Sequence, residues 1–267
     1  MTSFASRTFD KIRIQIEDIA WHKSPQDSVR IIFNIIYRRR FPFPVALYEH
    51  FSRPKITDDL GGEVFLAEYM IPEHDKCLVD VGASVGSWTM FVAKKGLQVY
   101  SFEPSPKLYV ILKSRTRGYS KVHVYPFALG DSDDIGRLGL SAFTLMGTMD
   151  AENKGLHKGE TIDIPVHTLD SLGIQNIGVI KIDTEGYETP ILKGAKASIV
   201  KNRPRLILEV HKGTGKAAKT FVEELQEIKS ILGDFGYTWI LYYRRIGLRD
   251  MQPFIIASPK PRGANKS

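Results

Sequence analysis

The segment from Cys77 to Pro104, CLVDVGASVGSWTMFVAKKGLQVYSFEP, constrains the fold more than any other part of the chain. An apolar run (Cys77, Leu78, Val79) leads into Asp80. A glycine turn follows through Gly82, Ala83, Ser84, Val85 and Gly86, then a helical stretch from about Ser87 to Lys95. A second β-rich run, Gln98 to Phe102, ends in Glu103 and Pro104. Strand, glycine loop, helix, strand and acid, in that order, is how an α/β sheet holds a nucleoside. The loop backbone approaches the ligand, and an acid at the tip of the next strand meets the ribose hydroxyls. Each part alone has a plainer reading: a glycine pair makes a tight turn, and an acid ends a strand in water. Their order and spacing favour the nucleoside.

The loop also selects among nucleosides. A dinucleotide fingerprint requires G-x-G-x-x-G, but here Ser84 and Ser87 stand where the second and third glycines belong. The pattern is D-x-G-x-x-x-G, and no P-loop Gly-Lys-Ser/Thr is present. Asp80, placed just before Gly82, repels a pyrophosphate and suits a cationic ligand end. S-adenosylmethionine meets these requirements, with its amino group and sulfonium at the loop and its ribose at Glu103.

From Asp75 onward strands alternate with helices. Strands are predicted near 77–81, 98–102, 122–127, 136–140, 161–166, Val179 to Ile182, Arg205 to Val210, 237–243 and 252–257. Helices are predicted over 86–95, 106–117, Glu188 to Val200 and about Ala217 to Leu232. Such alternation implies a mostly parallel sheet with helices on both faces, and the last two strands read as an antiparallel hairpin. Residues 1–75 differ. Phe9 to Trp21 and Asp27 to Tyr37 carry helix-like apolar spacing, then Arg38, Arg39 and Arg40 precede the helix-breaking Phe41-Pro42-Phe43-Pro44. The expected organisation is an N-terminal helical cap (1–75), a sheet domain (76–257) and a basic flexible tail (258–267).

A second acidic segment reads Val179-Ile180-Lys181-Ile182-Asp183-Thr184-Glu185-Gly186-Tyr187-Glu188. Its strand delivers Asp183 and Glu185 to the carboxyl end of the sheet, where α/β folds bind ligands. Glu188 also suits the first turn of a helix. The next strand, Arg205 to Val210, delivers Glu209 and His211 to the same end. His211 is therefore a candidate general base. Asp183, Glu185 and His211 could together suit Mg or Mn, but their spacing is no recognised metal signature, and no metal is expected.

The net charge is +7, and the stretch from Leu241 onward holds six basic residues against one acid. That excess reads as a solvated basic end, with a nucleic-acid-binding arm as the alternative. The single cysteine, Cys77, cannot form a disulfide within the chain, and no signal pattern or apolar run of membrane-span length is visible. A cytoplasmic protein is expected.

The motifs DVGASVG, SFEPSP, FALGDSD, VHTLDSL, IKIDTEGYETPILKGA and RPRLILEVH, in order from about Lys76 to His211, resemble the FkbM family of methyltransferases. The segment Asp183 to Ala195 and the pair Leu169-Asp170 are the most family-specific parts. The resemblance implies a Rossmann-like class I methyltransferase fold with a seven-stranded, mostly parallel sheet. It implies S-adenosyl-L-methionine as donor and transfer to a hydroxyl oxygen on a small molecule or sugar. Carried over by position, Asp80, Gly82, Ala83, Ser84 and Gly86 form the donor loop, and Glu103 with Pro104 the ribose end. Ala128, Leu129 and Asp131 lie along the adenine, and Asp183 adjoins the donor. His211, Asp183 and Glu185 are the expected catalytic group. Ser84 stands where the family usually has asparagine. Two rivals stay open: a nucleic-acid methyltransferase, which Tyr242/Tyr243 beside Arg244/Arg245 allow, and a nucleoside-binding module without catalysis.

Overall fold

The computed structural model describes residues 66–140, 147–148, 161–211, 220–245 and 251–261. The helices expected over 9–21 and 27–37, the Arg38–Arg40 triplet and the last six residues of the basic tail lie outside them.

Seven strands form the main sheet: β1 (Cys77–Val81), β2 (Gln98–Phe102), β3 (Val122–Tyr125), β8 (Ile177–Ile182), β9 (Arg205–Glu209), β10 (Tyr237–Arg245) and β11 (Met251–Pro259). Their spatial order is β10-β11-β9-β8-β1-β2-β3. β1, β2, β3, β8 and β9 run parallel, whereas β11 is antiparallel to both β9 and β10. The expected terminal hairpin is present, and its second strand threads between β9 and β10. β1 is central and every residue of it is buried, which is why CLVDV is apolar almost throughout rather than alternating.

Helices cover both faces. On one side α4 (Glu188–Gly194), α5 (Lys196–Asn202) and α6 (Phe221–Asp234) pack Ile191, Leu192, Ile199, Ile228 and Leu232 onto Val79, Val81, Ile180, Ile182 and Leu208. On the other, α1 (Ala67–Met70) and α2 (Ser87–Ala93) pack Met70, Trp88, Phe91 and Val92 onto Leu78, Val99, Val179 and Ile207. Strand alternation therefore puts Asp80 and Lys181, in direct register, on the α2 face. α3 (Pro106–Arg115) sets Leu112 against Ala83 and Val124. Among the described residues no helix is long and apolar enough to cross a membrane.

The short β runs between β3 and β8 do not join this sheet. β4 (Ala128–Leu129), β5 (Asp134–Leu140), β6 (Gly147–Thr148) and β7 (Thr161–His167) form a second, four-stranded sheet in the order β4-β7-β5-β6. Ala128, Leu138, Ile164 and Val166 make its small core.

The helix predicted over Glu188 to Val200 is broken at Ala195. Two family-specific motifs meet at the break. Asp170 accepts hydrogen bonds from Ala197 N (2.8 Å) and Ser198 N (2.7 Å) through its two carboxylate oxygens, satisfying free amides at the start of α5. Leu169 beside it is 1% exposed, in the core. Gly194 lies so close to the 129–131 turn that a Cβ there would fall 1.8 Å from the Gly130 carbonyl oxygen. Gly194→Ala must push two backbones apart. Thermal unfolding should show a loss on the order of 2 kcal/mol; an unchanged Tm would show that the contact gives freely.

Candidate functional site

A cavity of about 440 Å³ opens at the carboxyl ends of β1, β2 and β8, a volume in the range of small-molecule sites. Its first wall is the turn after β1. Gly82 N and Ala83 N both donate to the Phe102 carbonyl (3.0 and 3.1 Å), which ties the turn to the end of β2. Gly82 has φ +73°, and a Cβ on it would lie 1.9 Å from the Asp183 carbonyl oxygen. Only glycine passes there. Ser84 is also left-handed, with φ +52°, a conformation that costs a non-glycine residue energy and is easiest for asparagine. Position 84 is governed by its backbone, which asparagine would adopt more easily than serine.

That backbone is held by Glu103, which is 5% exposed. Its Oε2 accepts from Ser84 N (2.8 Å) and its Oε1 from Ser105 N (2.9 Å). Burial raises its pKa, opposed by these two amides and by Lys181. Each oxygen keeps a further lone pair for hydroxyl donors.

The second wall is the turn after β8. Glu185 (φ +56°) and Gly186 (φ +105°) are both left-handed. Glu188, fully buried, accepts from Gly186 N (3.1 Å) and Thr184 N (3.4 Å) through Oε1. The same oxygen lies 3.2 Å from His211 Nδ1. His211 Nε2 is 3.4 Å from Glu185 Oε2 and 3.8 Å from Glu209 Oε1. Burial alone would lower the imidazole's pKa, but the Glu188 bond and the charges of Glu188, Glu185 and Asp183 raise it to about 9. His211 is therefore an imidazolium near neutral pH, a poor start for a proton acceptor.

Beneath both turns lies Lys181, whose side chain is 7% exposed. It donates to the Gly82 carbonyl (3.0 Å) and ion-pairs with Asp183 Oδ2 (3.2 Å) and Asp80 Oδ1 (3.4 Å). Asp80 Oδ2 accepts from Thr89 Oγ1 on α2 (2.7 Å), which is also 2.7 Å from Ser101 Oγ.

Of the residues expected at the site, Gly82, Ser84, Glu103, Pro104, Ala128, Leu129, Asp183 and Glu185 line the cavity. Five do not. Asp80 is fully buried behind the loop, paired with Lys181 and Thr89. Ala83 packs against Leu112, and Gly86 begins α2 where a Cβ would strike Leu112. Asp131 is exposed beyond Gly130, and His211 sits behind Glu185. Sequence reasoning missed Leu108, Leu138 and Ile191 as lining, since they come from three separate elements, and passed over Lys181. A lysine inside the apolar run Val-Ile-Lys-Ile was its visible signal.

Asp183, Glu209 and His211 each offer a ligand atom within 4.8 Å of the others. The Lys181 ammonium and the imidazolium already engage carboxylates of this group.

This sheet order, with a reversed strand inserted next to the last parallel one and the cavity over the β1 loop, defines the class I S-adenosylmethionine-dependent methyltransferase fold. The methyltransferase FkbM domain matches residues 80–238, more than half of the chain, and the chain belongs to that family. The crystal structure of a methyltransferase FkbM from Methylobacillus flagellatus KT shares the fold, with a TM-score of 0.56 at 18% identity. The match covers 94% of this chain and 59% of that one. The hexuronic acid methyltransferase AglP of Haloferax volcanii is 27% identical over 159 residues, 58% of this chain and 65% of its own length. The chain thus spans less than two thirds of each of these two relatives.

Two outcomes test the site. Ser84→Asn should raise stability by about 0.5 kcal/mol, whereas Ser84→Val should lower it by more than about 1 kcal/mol, both read by urea unfolding. His211 has a folded pKa above its ordinary value. Its contribution is therefore whole below about pH 6.5 and lost as pH rises through about 9. Wild-type stability should fall by a few kcal/mol across that window, while His211→Gln shows a flatter profile. Parallel profiles would remove the imidazolium from the account.

Proposed function

We propose that this chain is an S-adenosylmethionine-dependent O-methyltransferase acting on a hydroxyl of a small molecule or sugar. The observation that carries the reading is the cavity wall itself. The Gly82–Ser84 turn and Glu103 occupy one side, and Asp183, Thr184 and Glu185 the other. Among the described residues, the lining holds three acids and no basic side chain, which suits a donor bearing a sulfonium and an amino group. The AglP relative, named for hexuronic acid, supports a sugar-type acceptor.

S-adenosylmethionine, when bound, supplies an electrophilic methyl group for in-line displacement. The chain's part is mostly alignment. Glu103 accepts the ribose hydroxyls with the lone pairs its two amides leave free. Pro104, Leu108 and Leu129 offer apolar surface to the adenine. Asp183 and Glu185 face the acceptor, and Asp183 takes the hydroxyl proton. His211, held charged, orients Glu185 rather than serving as the base. We assign acceptor selection to regions beyond the matched 80–238, residues 1–65 included; because α1 packs onto the sheet and β11 runs to Pro259, the methyltransferase domain takes in both, and the tail begins at Lys260.

Calorimetric titration tests the reading. Wild type should bind S-adenosylmethionine and not NAD, and Glu103→Gln should bind the donor at least tenfold more weakly. At saturating donor, Asp183→Asn should then lose at least 100-fold in transfer of a labelled methyl to a sugar panel. A preference for NAD would overturn the reading. Labelling of RNA in place of sugars would overturn the acceptor class.

A further inference from the structure

Lys181 is a buried cation in the floor of the site that neither the donor nor the acceptor assignment uses. Burying an ammonium is expensive unless it is paired and hydrogen-bonded. Here it meets three acceptors from two different turns: the Gly82 carbonyl, Asp183 Oδ2 and Asp80 Oδ1. It donates a hydrogen bond to the first and stands in ion-pair range of the other two, at 3.2 and 3.4 Å. Two of these belong to the cavity wall, since Gly82 and Asp183 both line it. The third, Asp80, is anchored in turn by Thr89 of α2.

The turns also need such a tie. Gly82, Ser84, Glu185 and Gly186 all have positive φ, and strained backbone persists only where its surroundings over-determine it. Glu103 holds the first turn at Ser84, and Glu188 holds the second at Gly186. Between the two turns stand the close passage of Gly82 over the Asp183 carbonyl and the hydrogen bond from Asp183 N to the Val81 carbonyl (3.1 Å). Lys181 adds the side-chain link, from a strand position whose own fold context asks for an apolar residue.

We propose that Lys181 is a positioning residue for methyl transfer: its ammonium clamps the Gly82 carbonyl and the Asp183 carboxylate into the one geometry that receives the donor. The inference rests on the donor-binding reading above. It separates from a purely electrostatic role by sign. A cation beneath the cavity repels a sulfonium, so if charge were all that Lys181 supplied, its removal would tighten S-adenosylmethionine relative to the neutral thioether S-adenosylhomocysteine. A clamp predicts that both ligands weaken together.

The experiment titrates S-adenosylmethionine and S-adenosylhomocysteine into wild type, Lys181→Ala and the double variant Asp80→Asn/Lys181→Met. The double variant removes both members of the buried ion pair, a change that folds tolerate far better than breaking one. Both variants should lose at least tenfold in affinity for both ligands, with circular dichroism unchanged in the double variant. Propylammonium replaces the atoms that Lys181→Ala deletes, and it should restore binding, whereas 1-propanol, its neutral isostere, should not. The proposal is overturned if the double variant binds both ligands as wild type does, if S-adenosylmethionine alone tightens, or if 1-propanol restores binding as well as the amine. Failure of wild type to bind either ligand would instead sink the donor reading itself.

Discussion

The site depends on a contact that no side chain could occupy: the backbone at Gly82 passing directly over the carbonyl of Asp183. Two strands adjacent in space, β1 and β8, end at the same level of the sheet. Their turns have to leave in ways that do not collide. The glycine lets the β1 turn lie down across the end of β8. From this follow the left-handed residues on both turns, the shared cavity wall and the narrow gap in which Lys181 is buried.

Two carboxylates then do similar work on either side. Glu103 holds the first turn through the Ser84 amide, and Glu188 holds the second through the amides of Gly186 and Thr184. Both are almost completely removed from water. A buried carboxylate that accepts backbone N–H groups fixes direction as well as charge. Glu103 also faces the cavity, so one residue shapes the loop and presents acceptors to a ligand. Glu188 does not line it, and its effect passes through His211 and the turn. Two buried acids that each hold a turn by its backbone amides can thus differ in duty.

Much of the fold was legible. The apolar run of β1 and the glycine turn after it lie where local chemistry placed them, because a fully buried central strand and a tight turn leave few alternatives. The pairing of β10 with β11 followed from their short connection. Less legible was the second sheet: β5 and β7 look like any half-buried strands, and nothing local says that they pair with each other rather than extend the main sheet. The helix break at Ala195 was hidden for the same reason. Gly194 is demanded by the distant Gly130 carbonyl, and Asp170 supplies the cap from another part of the chain. At the site, neither the register that sets Asp80 opposite Lys181 nor the three carboxylates around His211 could be read from local sequence, because each partner comes from another strand or turn.

The threading of β11 between β9 and β10 carries a consequence for how the molecule is made. β11, which follows β10 in the chain, takes an interior position, not an edge. Until β11 pairs, β9 presents one open side, with unpaired backbone groups along Leu206, Leu208 and Val210 that β11 covers. Without β11 the sheet ends at β9, because β10 joins it only through β11. Completion of this sheet therefore waits for β11, and the strand that carries Glu209 toward the site is secured on both sides only when β11 pairs.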